Sequence, residues 1–70
     1  MNIVEVIGRV ADLVARKIEE GKHLSLNVSY TCMYVTFFDG NDGIVGNPSA
    51  FWSVDFEEDY KILLDKLEKF

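Results

Sequence analysis

Apolar residues recur at three- and four-residue intervals from the start of the chain. Ile3, Ile7, Val10, Val14 and Ile18 form the stripe and Val6 and Leu13 flank it, the spacing of an amphipathic helix. Asn2 stands where a cap belongs, with Glu5 three residues on at the capping-box position. Gly21 supplies a left-handed stop. Beside the stripe, Gly8, Ala11 and Ala15 continue from Val4 as a strip of small residues. The polar remainder (Glu5, Arg9, Asp12, Arg16, Glu20) is narrow and alternates in sign, each pair contributing about a few tenths of a kcal/mol. With more than half of the helix apolar, burial on two sides is expected.

The period then falls to two. Leu24, Leu26, Val28 and Tyr30 alternate with Ser25, Asn27, Ser29 and Thr31, and Met33, Val35 and Phe37 alternate with Cys32, Tyr34, Thr36 and Phe38. Both runs read as strand. The apolar parity changes from even to odd between Tyr30 and Met33. A tight turn or a bulge near Thr31 produces such a switch, and one long bent strand is the alternative. Asp39-Gly40-Asn41-Asp42-Gly43 is a turn signal. Ile44 to Ala50 reads as a loop and Phe51 to Phe56 as a further strand, with Trp52, Val54 and Phe56 on one face. Asp55 then caps a last helix, with Glu58 at the capping-box position and Tyr60, Leu63, Leu64 and Leu67 as its buried stripe. Acids in its first turn and Lys66 and Lys69 in its last suit the helix dipole.

Helix, two or three strands, helix in one domain spanning residues 1–70 predicts an α+β fold. The expected architecture is a two-layer sandwich, an antiparallel meander with both helices on one face. Its other face then presents Ser25, Asn27, Ser29, Tyr34, Thr36, Phe38, Phe51 and Ser53.

Charge changes this picture. The formal net charge is −5, and residues 1–38 balance four acids against four bases. The whole excess lies in residues 39–70. Between Lys22 and Lys61 there is no cation at all, while the interval holds Asp39, Asp42, Asp55, Glu57, Glu58 and Asp59 and eight of the nine aromatic rings. Phosphate backbones are repelled from such a surface, so direct nucleic-acid binding is disfavoured and a basic protein partner is favoured. One cysteine, no secretory leader and no apolar run long enough to span a bilayer point to a reduced, cytoplasmic protein.

The chemical candidates are weak. Cys32 and His23 would have to meet for nucleophilic catalysis, yet a hairpin turning near Thr31 sets them at opposite ends. Asp39, Asn41 and Asp42 offer oxygen donors, but the EF-hand pattern fails, with Gly43 and Ala50 where ligands belong. Gly40, Gly43 and Gly46 match neither phosphate-loop fingerprint. Asp55 with Glu57 or Glu58 is explained by helix capping. The expectation is a non-enzymatic protein with no cofactor and no metal.

Aromatics fill strand cores, so Phe37 and Trp52 are assigned inside and Tyr34, Phe38 and Phe51 outside. Rings anchor contacts and carboxylates steer approach. The predicted partner-binding residues are therefore Tyr34, Phe38, Asp39, Asp42, Phe51, Asp55, Glu57, Glu58 and Asp59. In size, acidity and strand-rich middle the chain resembles the small accessory proteins with which phages and mobile elements block host defence nucleases, anti-CRISPR proteins among them. The resemblance rests on no specific motif. It implies inhibition of a larger, basic, nucleic-acid-handling protein, with carboxylates standing where phosphates would lie. The alternative is a self-assembling structural or regulatory subunit, a homodimer through the first helix or the open sheet face.

Overall fold

The computed structural model describes residues 2–53 and 55–70. Helix α1 (Ile3–Glu19) is followed by β1 (His23–Val28), β2 (Cys32–Phe38), two short strands β3 (Ile44–Gly46) and β4 (Ser49–Phe51), and helix α2 (Phe56–Lys69). It is an α+β fold with a helix at each end of an open antiparallel sheet.

Helix α1 begins and ends where local chemistry dictates. The Asn2 side chain accepts from the amides of Val4 at 2.9 Å and Glu5 at 3.4 Å, satisfying two of the four orphan donors of a helix start. At the other end Gly21 adopts φ +87°, open to glycine at no steric cost. The Lys22 amide then donates to the Lys17 carbonyl at 3.0 Å, a Schellman closure.

The parity switch near Thr31 is a hairpin. His23 pairs with Phe38 and Val28 with Met33, and the Ser29 amide donates to the Cys32 carbonyl at 2.8 Å. No glycine or asparagine is needed at this turn because a side chain closes it. Ser29 Oγ accepts from the amides of Thr31 (3.3 Å) and Cys32 (3.2 Å), the hydroxyl-based turn open to serine. The second turn works through a carboxylate. Asp39 Oδ1 accepts from Asn41 N at 2.8 Å and Gly43 N at 2.9 Å, while Asp42 takes φ +62°.

Two expectations fail between Ile44 and Phe56. The segment read as a loop contains β3 and β4, and both pair with the same edge of β2, at Phe37–Phe38 and at Cys32–Tyr34. Together they are one antiparallel strand broken at Asn47-Pro48. Val35 N still donates to Pro48 O at 3.1 Å, but proline has no N–H to return the second bond of that pair. The strand placed at Phe51–Phe56 instead ends at Phe51, and the chain bends through Trp52 and Ser53 into the helix. Val54, placed in that strand, lies outside the described residues.

Cross-strand partners share a face. One face carries Leu24, Met33, Val35, Phe37 and Ala50, and these join Val6, Val10 and Val14 of α1 and Phe56, Tyr60, Leu63 and Leu67 of α2 in a single core. Gly46 lies opposite Phe37 in the register, and a Cβ there would stand 2.9 Å from the Phe37 ring. The Phe37 ring in turn stacks on Phe70 at 4.4 Å.

Burial of α1 on two sides is not observed. Val6, Val10 and Val14 are buried, whereas Val4, Ile18 and Ile3 are 78%, 53% and 48% exposed. A seventeen-residue helix over one small sheet has a single layer to pack against: Ile7 and Leu13 pack partly on the core, and Ile3, Val4 and Ile18 are left facing outward.

Candidate protein-interaction surface

The outer face of the sheet is the one opposite Met33, Val35 and Phe37. Register places Tyr34 beside Asn27 and Ser49, Phe38 beside His23 and Ile44, and Phe51 beside Cys32. The three rings assigned outside thus share this face. Phe51 is 51% exposed, while Tyr34 and Phe38 are half-buried. Between the latter two, Thr36 is covered and its hydroxyl donates to Asn47 Oδ1 at 3.2 Å.

The six carboxylates of the cation-free interval do not gather in one place. Asp39 and Asp42 follow the Phe38 end of β2, whereas Asp55, Glu57, Glu58 and Asp59 begin α2, which starts just after Phe51 at the Cys32 end. The six steps of strand between those ends span roughly 20 Å. Proximity in sequence misled because β2 runs the length of the sheet between the two groups. Asp39 is also engaged in its turn: the Gly43 and Asn41 amides hold its carboxylate below the ordinary value of 3.8, since hydrogen bonds to the charged form favour it.

The α2 end is different. Asp55 occupies the cap position with φ −94° and ψ 10°, and its side chain makes no capping hydrogen bond, contrary to expectation. The helix entry is held by backbone instead, Phe56 N donating to Ser53 O at 3.1 Å. Asp55, Glu57 and Glu58 are exposed, Asp59 is half-buried, and Asp55, Glu57, Glu58 and Lys61 line a shallow open groove. Neither ion pair among the described residues, Arg16–Asp12 and Lys69–Asp65, involves these acids.

Tyr30 joins them. Its parity assigned it to the apolar face, yet it sits in the β1–β2 turn and is 94% exposed. The missing signal was the turn itself, because a residue at a hairpin tip leaves the strand alternation. Trp52 ties this turn to the start of α2. Its amide donates to Thr31 O at 3.0 Å, its indole Nε1 donates to Ser29 O at 2.8 Å, and its ring lies 4.9 Å from that of Phe56. One end of the molecule therefore presents Tyr30, Phe51 and the half-exposed Val28 with Asp55, Glu57 and Glu58.

The other end is mixed in sign. Lys17 Nζ donates to Glu68 O at 3.2 Å, Lys22 lies 5.7 Å over the Phe70 ring, and Lys66 and Lys69 border a depression of about 380 Å³ with Phe37, Val45, Pro48 and Phe70. Four of the seven cations collect there.

His23 and Cys32 stand at opposite ends of the hairpin, as β1 and β2 pair from His23–Phe38 to Val28–Met33. Among the described residues no group of three or more His, Cys, Asp or Glu is arranged to hold a metal, and no helix is long and apolar enough to cross a membrane. No protein-family model, curated protein or solved structure matches this chain.

Proposed function

We propose that this protein is a non-enzymatic interaction protein that docks through its Tyr30–Phe51–Glu57 end onto a larger basic protein, one that handles nucleic acid, and inhibits or modulates it. The observation that carries the reading is the coincidence of exposed rings with carboxylates that, among the described residues, no side-chain cap or ion pair engages. Asp55 does not cap, Glu57 and Glu58 form no ion pair among the described residues, and Tyr30 and Phe51 are open beside them. Exposed rings supply apolar contact area. Unpaired carboxylates at a helix start attract a cationic surface and speed encounter with it. Such a surface competes for a channel that binds phosphates because it offers the same charge.

Asp39, Asp42 and Phe38 fall outside this docking end, and Tyr34 lies between the two ends. The test compares wild type with an E57K/E58K variant as immobilised bait in host lysate at low and high ionic strength. The captured protein should bind DNA or RNA and lose that binding when wild type is added. Its capture should weaken with salt, because screening acts on exposed charges, and should fail with the charge-reversed variant. Equal capture and inhibition by the variant would remove the steering role.

A further inference from the structure

We infer that two copies of this chain pair through α1, antiparallel and centred on Ala11. At about 100° per residue, Val4, Ile7, Gly8, Ala11, Ala15 and Ile18 occupy one arc of α1 beside the buried stripe, Ile7 being half-covered already by the protein's own core. Val4 and Ile18 are among the most exposed large apolar residues of the chain, at 78% and 53%. Gly8 has open space where a side chain would stand.

Three observations select a second copy as the occupant. First, α1 carries three acids and three bases, whereas the excess of −5 lies beyond residue 38. This face is where two like-charged molecules meet with least repulsion, and a basic partner gains nothing from it. Second, the arc is complementary to itself when reversed. With Ala11 on the two-fold axis, Val4 of each copy meets Ile18 of the other and Ile7 meets Ala15, so bulky ends flank a small centre. The same register sets Glu5 at the level of Arg16 of the other copy along the single polar flank, so that opposite rather than like charges face each other there; Arg16 also pairs with Asp12 of its own helix. Third, both helices end at the same end of the molecule, where Lys17 reaches the Glu68 carbonyl. Antiparallel pairing therefore turns the acidic end of each copy toward the mixed-sign end of the other, where Lys17, Lys22, Lys66 and Lys69 stand among Glu19, Glu20, Asp65 and Glu68, and parallel pairing would align the two acidic ends. The docking end proposed above is not used, so this inference stands or falls independently of that reading.

Sedimentation of the full chain across a concentration series should move from 8.0 kDa to twice that mass. Ala11→Glu, with an unchanged far-ultraviolet circular dichroism spectrum, should raise the dissociation constant roughly ten-fold or more, since it buries a charge against its own copy. Orientation is read by disulfide trapping in a Cys32→Ser background. An oxidised mixture of Val4→Cys and Ile18→Cys chains should form the mixed disulfide. Neither chain alone should cross-link, because like positions are then about 21 Å apart and a disulfide needs Cα atoms within about 7 Å. A wild type that stays monomeric, a dimer indifferent to a folded A11E, or Val4→Cys chains that cross-link with each other would each overturn the inference.

Discussion

The two helices are built from similar material and end in different situations. Helix α2 sends Phe56, Tyr60, Leu63 and Leu67 into the core and leaves one large apolar side chain, Ile62, half-exposed. Its acids lie in the first turn and its bases in the last, as the macrodipole favours. Helix α1 buries three valines, leaves Ile3, Val4 and Ile18 outside, and mixes its charges along its length. Apolar content thus does not measure burial. What a helix buries is limited by the layer available to it, and among the described residues nothing covers Val4 and Ile18 of α1.

The sharpest way to break this contrast is to truncate one apolar residue on each helix. Leu63→Ala removes a fully buried side chain and should cost about 2–5 kcal/mol in urea unfolding. Ile18→Ala, measured at a concentration below association, should stay within about 0.5 kcal/mol of wild type. Comparable losses would mean that the outer arc of α1 is not an open surface. Next in size is Gly21→Ala, which forces a side chain to φ +87°. It should destabilise by about 1 kcal/mol, seen as a lower denaturation midpoint and earlier exchange of the last-turn amides of α1.

A smaller effect tests the charge order of α2. Glu57→Gln with Glu58→Gln should lower stability by about 0.3–1 kcal/mol per residue at low salt and by less at high salt. Glu5→Gln on α1 probes the same dipole near a start that Asn2 already caps. The smallest effect lies outside both helices, at Asp39. Its folded pKa is depressed, so the unfolded chain binds the extra proton first. The contribution is complete above the ordinary value of 3.8 and disappears as pH falls through the lower folded value. In an NMR titration the Asp39 carboxylate should titrate below the ordinary range, and the Asn41 and Gly43 amide shifts should follow it. Titration at or above 3.8 would contradict the turn geometry.

Features governed by near neighbours were legible in the sequence. The Asn2 cap, the Gly21 stop, the Asp39–Gly43 turn, the strand faces and the outward placement of Phe51 all depend on residues a few positions apart. Parity alone marked the break near Thr31 but left a turn, a bulge and one long bent strand open, and closure of the hairpin by Ser29 Oγ was not foreseen. Three-residue strands carry too few alternations to stand out, and Pro48 disguised β3 and β4 further. Spatial grouping was the harder part. A run of residues free of lysine and arginine is a statement about the chain, and β2 carries Asp39 and Asp42 away from Asp55, Glu57 and Glu58. How much of α1 would find cover could not be read either, because periodicity describes one surface and not the area of its neighbour.

The position of Trp52 has a practical corollary. The only tryptophan in the chain is hydrogen-bonded through its indole to the hairpin that bears Tyr30, and its ring leans on Phe56, immediately before Glu57. Its emission is a native optical gauge of the acidic end. Engagement of that end can therefore be followed on unlabelled protein, through intensity and wavelength, without an added fluorophore.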